Sequence, residues 1–193
     1  MKKIPLSLGV ITLAAPAFAH PGHGLASGFL PGLAHPLTGA DHLSVMLAVG
    51  LWSGFAMPRH VWIGAATFLS AMLIGAGLGL AHVALPAVEA VILASVIAMG
   101  VLTITARDTQ PRVLTALSLI TIATFAAFHG HAHATEATGA AALFIAGFIA
   151  STAALHLTGI GIAKTVAGSR HSRALQRILG GAITLTGLWL TLG

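Results

Sequence analysis

The 193-residue sequence contains no cysteine and no tyrosine, only four acidic side chains, and 7% charged residues in all. Without thiols there can be no disulfide, thiolate metal site, iron–sulfur cluster or cysteine nucleophile, so any metal must be held through nitrogen and oxygen. The charged fraction is set against 56% apolar residues and a mean hydropathy of +0.96. That leaves too little polar surface to cover a water-soluble globule, and the solvent of most of this chain is therefore a lipid bilayer. The nine Lys and Arg residues, which give a formal charge of +5, are scattered between apolar stretches and form no basic face. A nucleic-acid partner is excluded on that ground. The run Gly159-Ile160-Gly161-Ile162-Ala163-Lys164-Thr165 resembles a phosphate loop, but Ala163 stands where glycine is required and no strand precedes it. ATP-driven pumping by this chain alone has no site to run on.

What the chain does have is a succession of apolar runs. Residues 1–19 combine Lys2 and Lys3, an apolar stretch from Ile4 to Ala15, and a small-x-small site at Ala17-Phe18-Ala19. They read as a cleavable secretory signal, leaving a mature chain, 20–193, that begins at His20 outside the cytoplasm. The alternative, an uncleaved first helix, is disfavoured because the run is short for a membrane span. The remainder divides into six expected spans near 35–57, 60–84, 86–106, 113–133, 139–163 and 173–192. The expected fold is thus an all-α membrane protein, with one six-helix transmembrane domain over 20–193 and both mature termini outside. Its first, third and fifth connections then carry Arg59, then Arg107 and Arg112, then Lys164, Arg170, Arg173 and Arg177. Every basic residue of the mature chain falls inside, as the positive-inside rule requires. Asp41, Glu89 and Glu136 instead map to outer ends of spans, so a cation arriving from outside meets carboxylates first. Gly75, Gly77 and Gly79, and Gly180, Gly181 and Gly187, are expected to let helices approach closely in lipid.

Two constellations carry chemistry. The first, His35-Pro36-Leu37-Thr38-Gly39-Ala40-Asp41-His42, places two imidazoles and a carboxylate at the outer start of an apolar span, where ionisable groups are costly and usually functional. His35 and His42 are nearly two helical turns apart and share a face, while Asp41 lies about 120° from His35 on a straight helix. Pro31, Gly32, Pro36 and Gly39 make a broken segment the better expectation, and such breaks turn side chains inward around an ion. Helix capping would account for one of these polar residues and leave two unexplained.

The second is Phe128-His129-Gly130-His131-Ala132-His133-Ala134-Thr135-Glu136 at the outer end of the fourth span. His129, His133 and Glu136 fall on one helical stripe at i, i+4 and i+7, whereas His131 points to nearly the opposite side. Imidazole and carboxylate on consecutive turns can close on one divalent ion. The competing reading is a solvated histidine-rich loop. Weaker signals are His20 and His23 near the mature amino terminus, His82 and Glu89 around the second outer loop, and His156 inside the fifth span, either an inner relay or a packing residue. His60 and His171 sit beside arginines in cytoplasmic connections and read as surface.

The pattern His-Pro-x-x-Gly-x-Asp-His at His35 to His42 resembles the signature of the HupE/UreJ family of nickel and cobalt permeases. The second block resembles that family's Phe-His-Gly-x-Ala-His-Gly-x-Glu motif through Phe128, His129, Gly130, Ala132, His133 and Glu136, with Ala134 where the family favours glycine. The resemblance runs the length of the chain. It implies transport of Ni2+ or Co2+ across the bacterial inner membrane without nucleotide hydrolysis or a prosthetic group. It also implies metal handling by His35, Asp41, His42, His129, His133 and Glu136, and delivery to metalloenzyme maturation proteins in a hydrogenase or urease context. His20 and His23 are expected to capture the ion outside. Two other classes remain open at this point: a haem-binding membrane cytochrome with paired axial histidines, and a metal-dependent membrane hydrolase with Glu136 or Glu89 as base.

Overall fold

The computed structural model describes residues 28–136 and 140–193, so the leader, His20 and His23 lie outside the described residues. All regular structure among the described residues is helical. It comprises α1 (Phe29–Thr38), α2 (Ala40–Ala56), α3 (Trp62–Leu80), α4 (Val88–Thr105), α5 (Arg112–Glu136), α6 (Ala141–Ala167) and α7 (Ser172–Leu192). Four of these, α3, α4, α5 and α6, are long and apolar enough to cross a membrane. Of the others, α2 has only 17 residues, and α7 opens on Arg173, Gln176 and Arg177.

Large apolar side chains face outward as readily as inward. Leu30, Ile74, Ile120, Leu157 and Ile178 are each more than 60% exposed, while Trp52, Phe68, Met46, Met99 and Val96 are fully buried. In water that outer belt would be an aggregation surface, whereas against lipid tails it costs nothing. Most Ser and Thr side chains on these helices are satisfied locally. The hydroxyls of Thr103, Ser118, Thr121, Thr124 and Thr158 each donate to the carbonyl four residues earlier, the usual way for Ser and Thr to sit in an apolar helix.

Helix contact is built on missing side chains. A Cβ at Gly75 would meet the Ala127 carbonyl, and one at Gly130 the Met72 carbonyl, which joins α3 to α5. Gly50 and Gly159 do the same between α2 and α6, Gly32 and Gly147 between α1 and α6, and Gly100 and Gly180 between α4 and α7. These are the most extensively packed helix pairs in the bundle, and small residues are what permit such approach where no hydrophobic force drives helices together. The expectation for Gly75, Gly79, Gly180 and Gly187 agrees with this packing. Gly77 and Gly181 depart from it, since a Cβ at either would meet nothing within 4 Å.

Several boundaries differ from the expected spans, each for a local reason. The first span is two helices, broken at Gly39, whose backbone is extended at φ −94° and ψ 124°. Pro36 has no N–H to continue the hydrogen-bond ladder of α1. Farther on, α3 stops at Leu80 because His82 takes a left-handed conformation (φ 56°). His82 N–H then bonds to the Gly79 carbonyl and Val83 N–H to the Leu78 carbonyl, a Schellman closure with His82 in the position usually given to glycine. The fifth helix runs on through the histidine block to Glu136, and α6 extends to Ala167.

Candidate metal site

The break at Gly39 aims the first constellation. A residue in extended conformation between two helical segments changes the direction of the chain, so His35 near the end of α1 and His42 in the first turn of α2 both face the bundle interior. Gly39 is also sterically required: a Cβ there would lie 2.7 Å from Asp41 Oδ1 and 3.1 Å from His42 Nδ1. Thr38 Oγ donates to the His35 carbonyl at 2.9 Å and closes the end of α1. Asp41, at the positive end of α2, accepts a hydrogen bond from His42 Nδ1–H at 2.8 Å. That bond leaves the lone pair of His42 on Nε2.

His42 Nε2 lies 2.6 Å from Nε2 of His133, which comes from α5, 91 residues away. His35 completes the group: one ligand atom from each of His35, His42 and His133 lies within 4.8 Å of the others. His42 and His133 are buried, and His35 half-buried. The ring of His133 is 4.6 Å, centroid to centroid, from each of the other two. Phe148 packs against all three imidazoles, at 4.4 Å from His133, and Phe144 closes on His35 at 5.8 Å. The cluster is therefore walled by apolar rings on the α6 side. Two imidazole nitrogens bound to one ion at about 2.0–2.1 Å each stand roughly 3 Å apart or more. Admitting an ion thus requires His42 and His133 to part by a few tenths of an ångström.

The remaining sequence candidates fall around this core. Asp41 stands behind His42, on the Nδ1 side, where a carboxylate fixes the tautomer and raises the basicity of a ligating imidazole. His129 is fully buried, with its ring 5.1 Å from that of His42. Its Nδ1–H donates to the Phe125 carbonyl at 2.9 Å, and its Nε2 has no hydrogen-bond partner. Glu136 is the last residue of α5, on the helical stripe of His129 and His133. His131 turns away: its Nε2–H donates to the Val83 carbonyl at 2.6 Å, pinning the turn after α3 to α5. His82 and Glu89 are at the surface, as are His60 and His171. Phe144 and Phe148 escaped the sequence reading. An aromatic pair at i, i+4 in an apolar span carries no sign of whether it faces lipid or imidazole.

A helical bundle with an apolar outer surface and a largely buried three-imidazole cluster defines a membrane-embedded protein with a site suited to a divalent metal ion. Comparison with known sequences narrows this. Residues 8–190 match the family described as HupE / UreJ protein. The chain is 36% identical to Protein HupE of Rhizobium leguminosarum bv. viciae over 200 residues, spanning 100% of both sequences. This chain belongs to the HupE/UreJ family. No solved structure matches it.

Proposed function

We propose that the protein is an inner-membrane permease that carries nickel or cobalt into the bacterial cytoplasm without hydrolysing nucleotide. The observation that supports this most directly is the convergence of His35, His42 and His133 from distant parts of the chain inside an apolar bundle. Three neutral imidazoles without sulfur suit a borderline divalent cation such as nickel or cobalt. In this reading α1 and α2 together make one broken crossing, α3 to α7 make five more, and both mature termini are outside. The histidine cluster then lies toward the outer face. His20 and His23 capture the hydrated ion, and His35, His42 and His133 replace part of its water shell. Asp41 orients His42, and His129 and Glu136 extend the donor set along α5. The ion enters down the membrane potential, which contributes about 2.3 kcal/mol per charge per 100 mV and so roughly 4.6 kcal/mol for a divalent cation. On the cytoplasmic side the metal passes to maturation proteins for hydrogenase or urease.

A haem between two axial histidines would hold their nitrogens about 4 Å apart across the iron. The 2.6 Å approach of His42 and His133 therefore favours a small ion over a porphyrin. The direct test is uptake of radiolabelled nickel and of cobalt by cells expressing the chain beside cells carrying empty vector. Accumulation that is time-dependent, and in which each metal competes with the other, is the expected result. Accumulation no greater than that of the vector control overturns the reading.

The leader is tested separately. Intact mass of membrane-purified protein is expected to correspond to a chain starting at His20. A mass that retains Met1 or Lys2 would make the leader a seventh hydrophobic anchor, with the amino terminus inside, and the topology would need redrawing.

A further inference from the structure

We infer that His156, assisted by Thr152, forms a second metal station deeper in the bundle, through which the ion passes after leaving the three-histidine cluster. The inference rests on the permease reading and adds a residue outside both motifs. His156 is fully buried. Its Nδ1–H donates to the Met46 carbonyl at 2.7 Å, so the lone pair is on Nε2, and Nε2 has no hydrogen-bond partner. This is the arrangement of a metal-ligating imidazole, with one nitrogen held by a backbone carbonyl and the other presented bare. A histidine serving only to pack would carry the desolvation cost of that bare nitrogen for nothing, since an apolar side chain of similar size would avoid it.

Thr152 supplies an independent observation. It lies one turn before His156 on the same face of α6, fully buried. Its hydroxyl also has no partner, although eleven other Ser and Thr hydroxyls in these helices bond to the carbonyl four residues earlier. Two unpartnered polar atoms on one buried stripe mark a place meant for something polar. Its depth follows from the contacts. Met46 is one turn beyond His42 on α2, about 6 Å farther from the cluster end. The connection back is close: the ring of Phe68 packs against His156 at 5.0 Å and against His129 at 5.9 Å, and His129 neighbours His42. Imidazole nitrogen plus hydroxyl oxygen is a weaker donor set than three imidazoles. That suits a station from which the ion must depart.

The absence of cysteine makes the test clean. In full-length His156→Cys protein in lipid nanodiscs, titration with Co2+ is expected to produce a thiolate-to-cobalt charge-transfer band, which wild type cannot give and which only position 156 can supply. Cobalt bound at the cluster, seen by its d–d absorption, with no such band would mean that the deep site holds water only, and would overturn the inference. In cells, His156→Ala is expected to lower metal uptake at least tenfold while binding at the cluster stays within a few fold. His156→Gln keeps a donor for the Met46 carbonyl but lacks the imidazole lone pair. It is expected to restore a monodisperse, wild-type-like fold without restoring uptake; restored uptake would make His156 structural and overturn the inference. Failure of wild type itself to accumulate metal refutes the permease reading instead, and the cobalt band still reports separately on the deep site.

Discussion

His42→Ala and His133→Ala are each expected to lower nickel or cobalt uptake at least ten- to a hundredfold at matched expression, with His129→Ala in the same class, whereas His131→Ala is expected to remain within a few fold of wild type. The magnitude comes from metal sites in which even an outer-shell partner is worth that range of affinity, so loss of a directly facing imidazole should cost no less. The discrimination comes from helical phase. At 100° per residue His133 lies about 40° from His129, while His131 lies about 160° away, and in the structure His131 is turned toward the Val83 carbonyl. Removing that bond costs on the order of 1 kcal/mol of stability and touches no atom of the cluster. General damage to insertion would not respect phase among neighbours in one helix. Equal loss at all four positions, or a larger loss at His131 than at His129, would sink the assignment of donors on α5.

Gly130→Ala should be nearly as damaging without removing any polar atom. The added methyl would press on the backbone carbonyl of Met72, which cannot rotate aside as a side-chain terminus can. Overpacking of this kind costs typically 1–3 kcal/mol. Here it also pushes α5 away from α3 next to His129 and His133. Thermal unfolding in detergent is expected to shift down by several degrees, with uptake falling in parallel. Gly77→Ala and Gly181→Ala are the controls, since both positions open on empty space and alanine is the better helix former. A Gly130→Ala protein that melts with the Gly77→Ala protein would show that α3 and α5 are not held by this contact.

Much of this was legible in the chain because its chemistry is periodic and its solvent is apolar. Helical phase separated His131 from His133 before any coordinates, and the proline and glycine content of residues 31–39 announced the break that Gly39 makes. Long-range convergence was not legible. No local pattern says that His133 meets His42 across 91 residues, because that pairing is decided by which glycine faces let α5 approach. Nor could sequence separate Asp41 behind His42 from a donor beside it, since the two differ by one side-chain rotation. His156 was ambiguous for a similar reason. Its meaning lies in the carbonyl of Met46 and the bare nitrogen opposite, and both belong to tertiary structure.

The glycine contacts also divide the histidines between two closely packed groups of helices. His35, Asp41, His42 and His156 ride on α1, α2 and α6, locked together through Gly32, Gly147, Gly50 and Gly159. His129 and His133 ride on α3 and α5, locked through Gly75 and Gly130. The seam between these groups runs through the cluster and is packed less extensively than either group is within itself. The two sets of nitrogens therefore face each other like the jaws of a vice. In the proposed permease, widening the seam by an ångström or two would lower the denticity offered to a captured ion without unwinding a turn of helix, and the strength of the grip would become a function of jaw spacing.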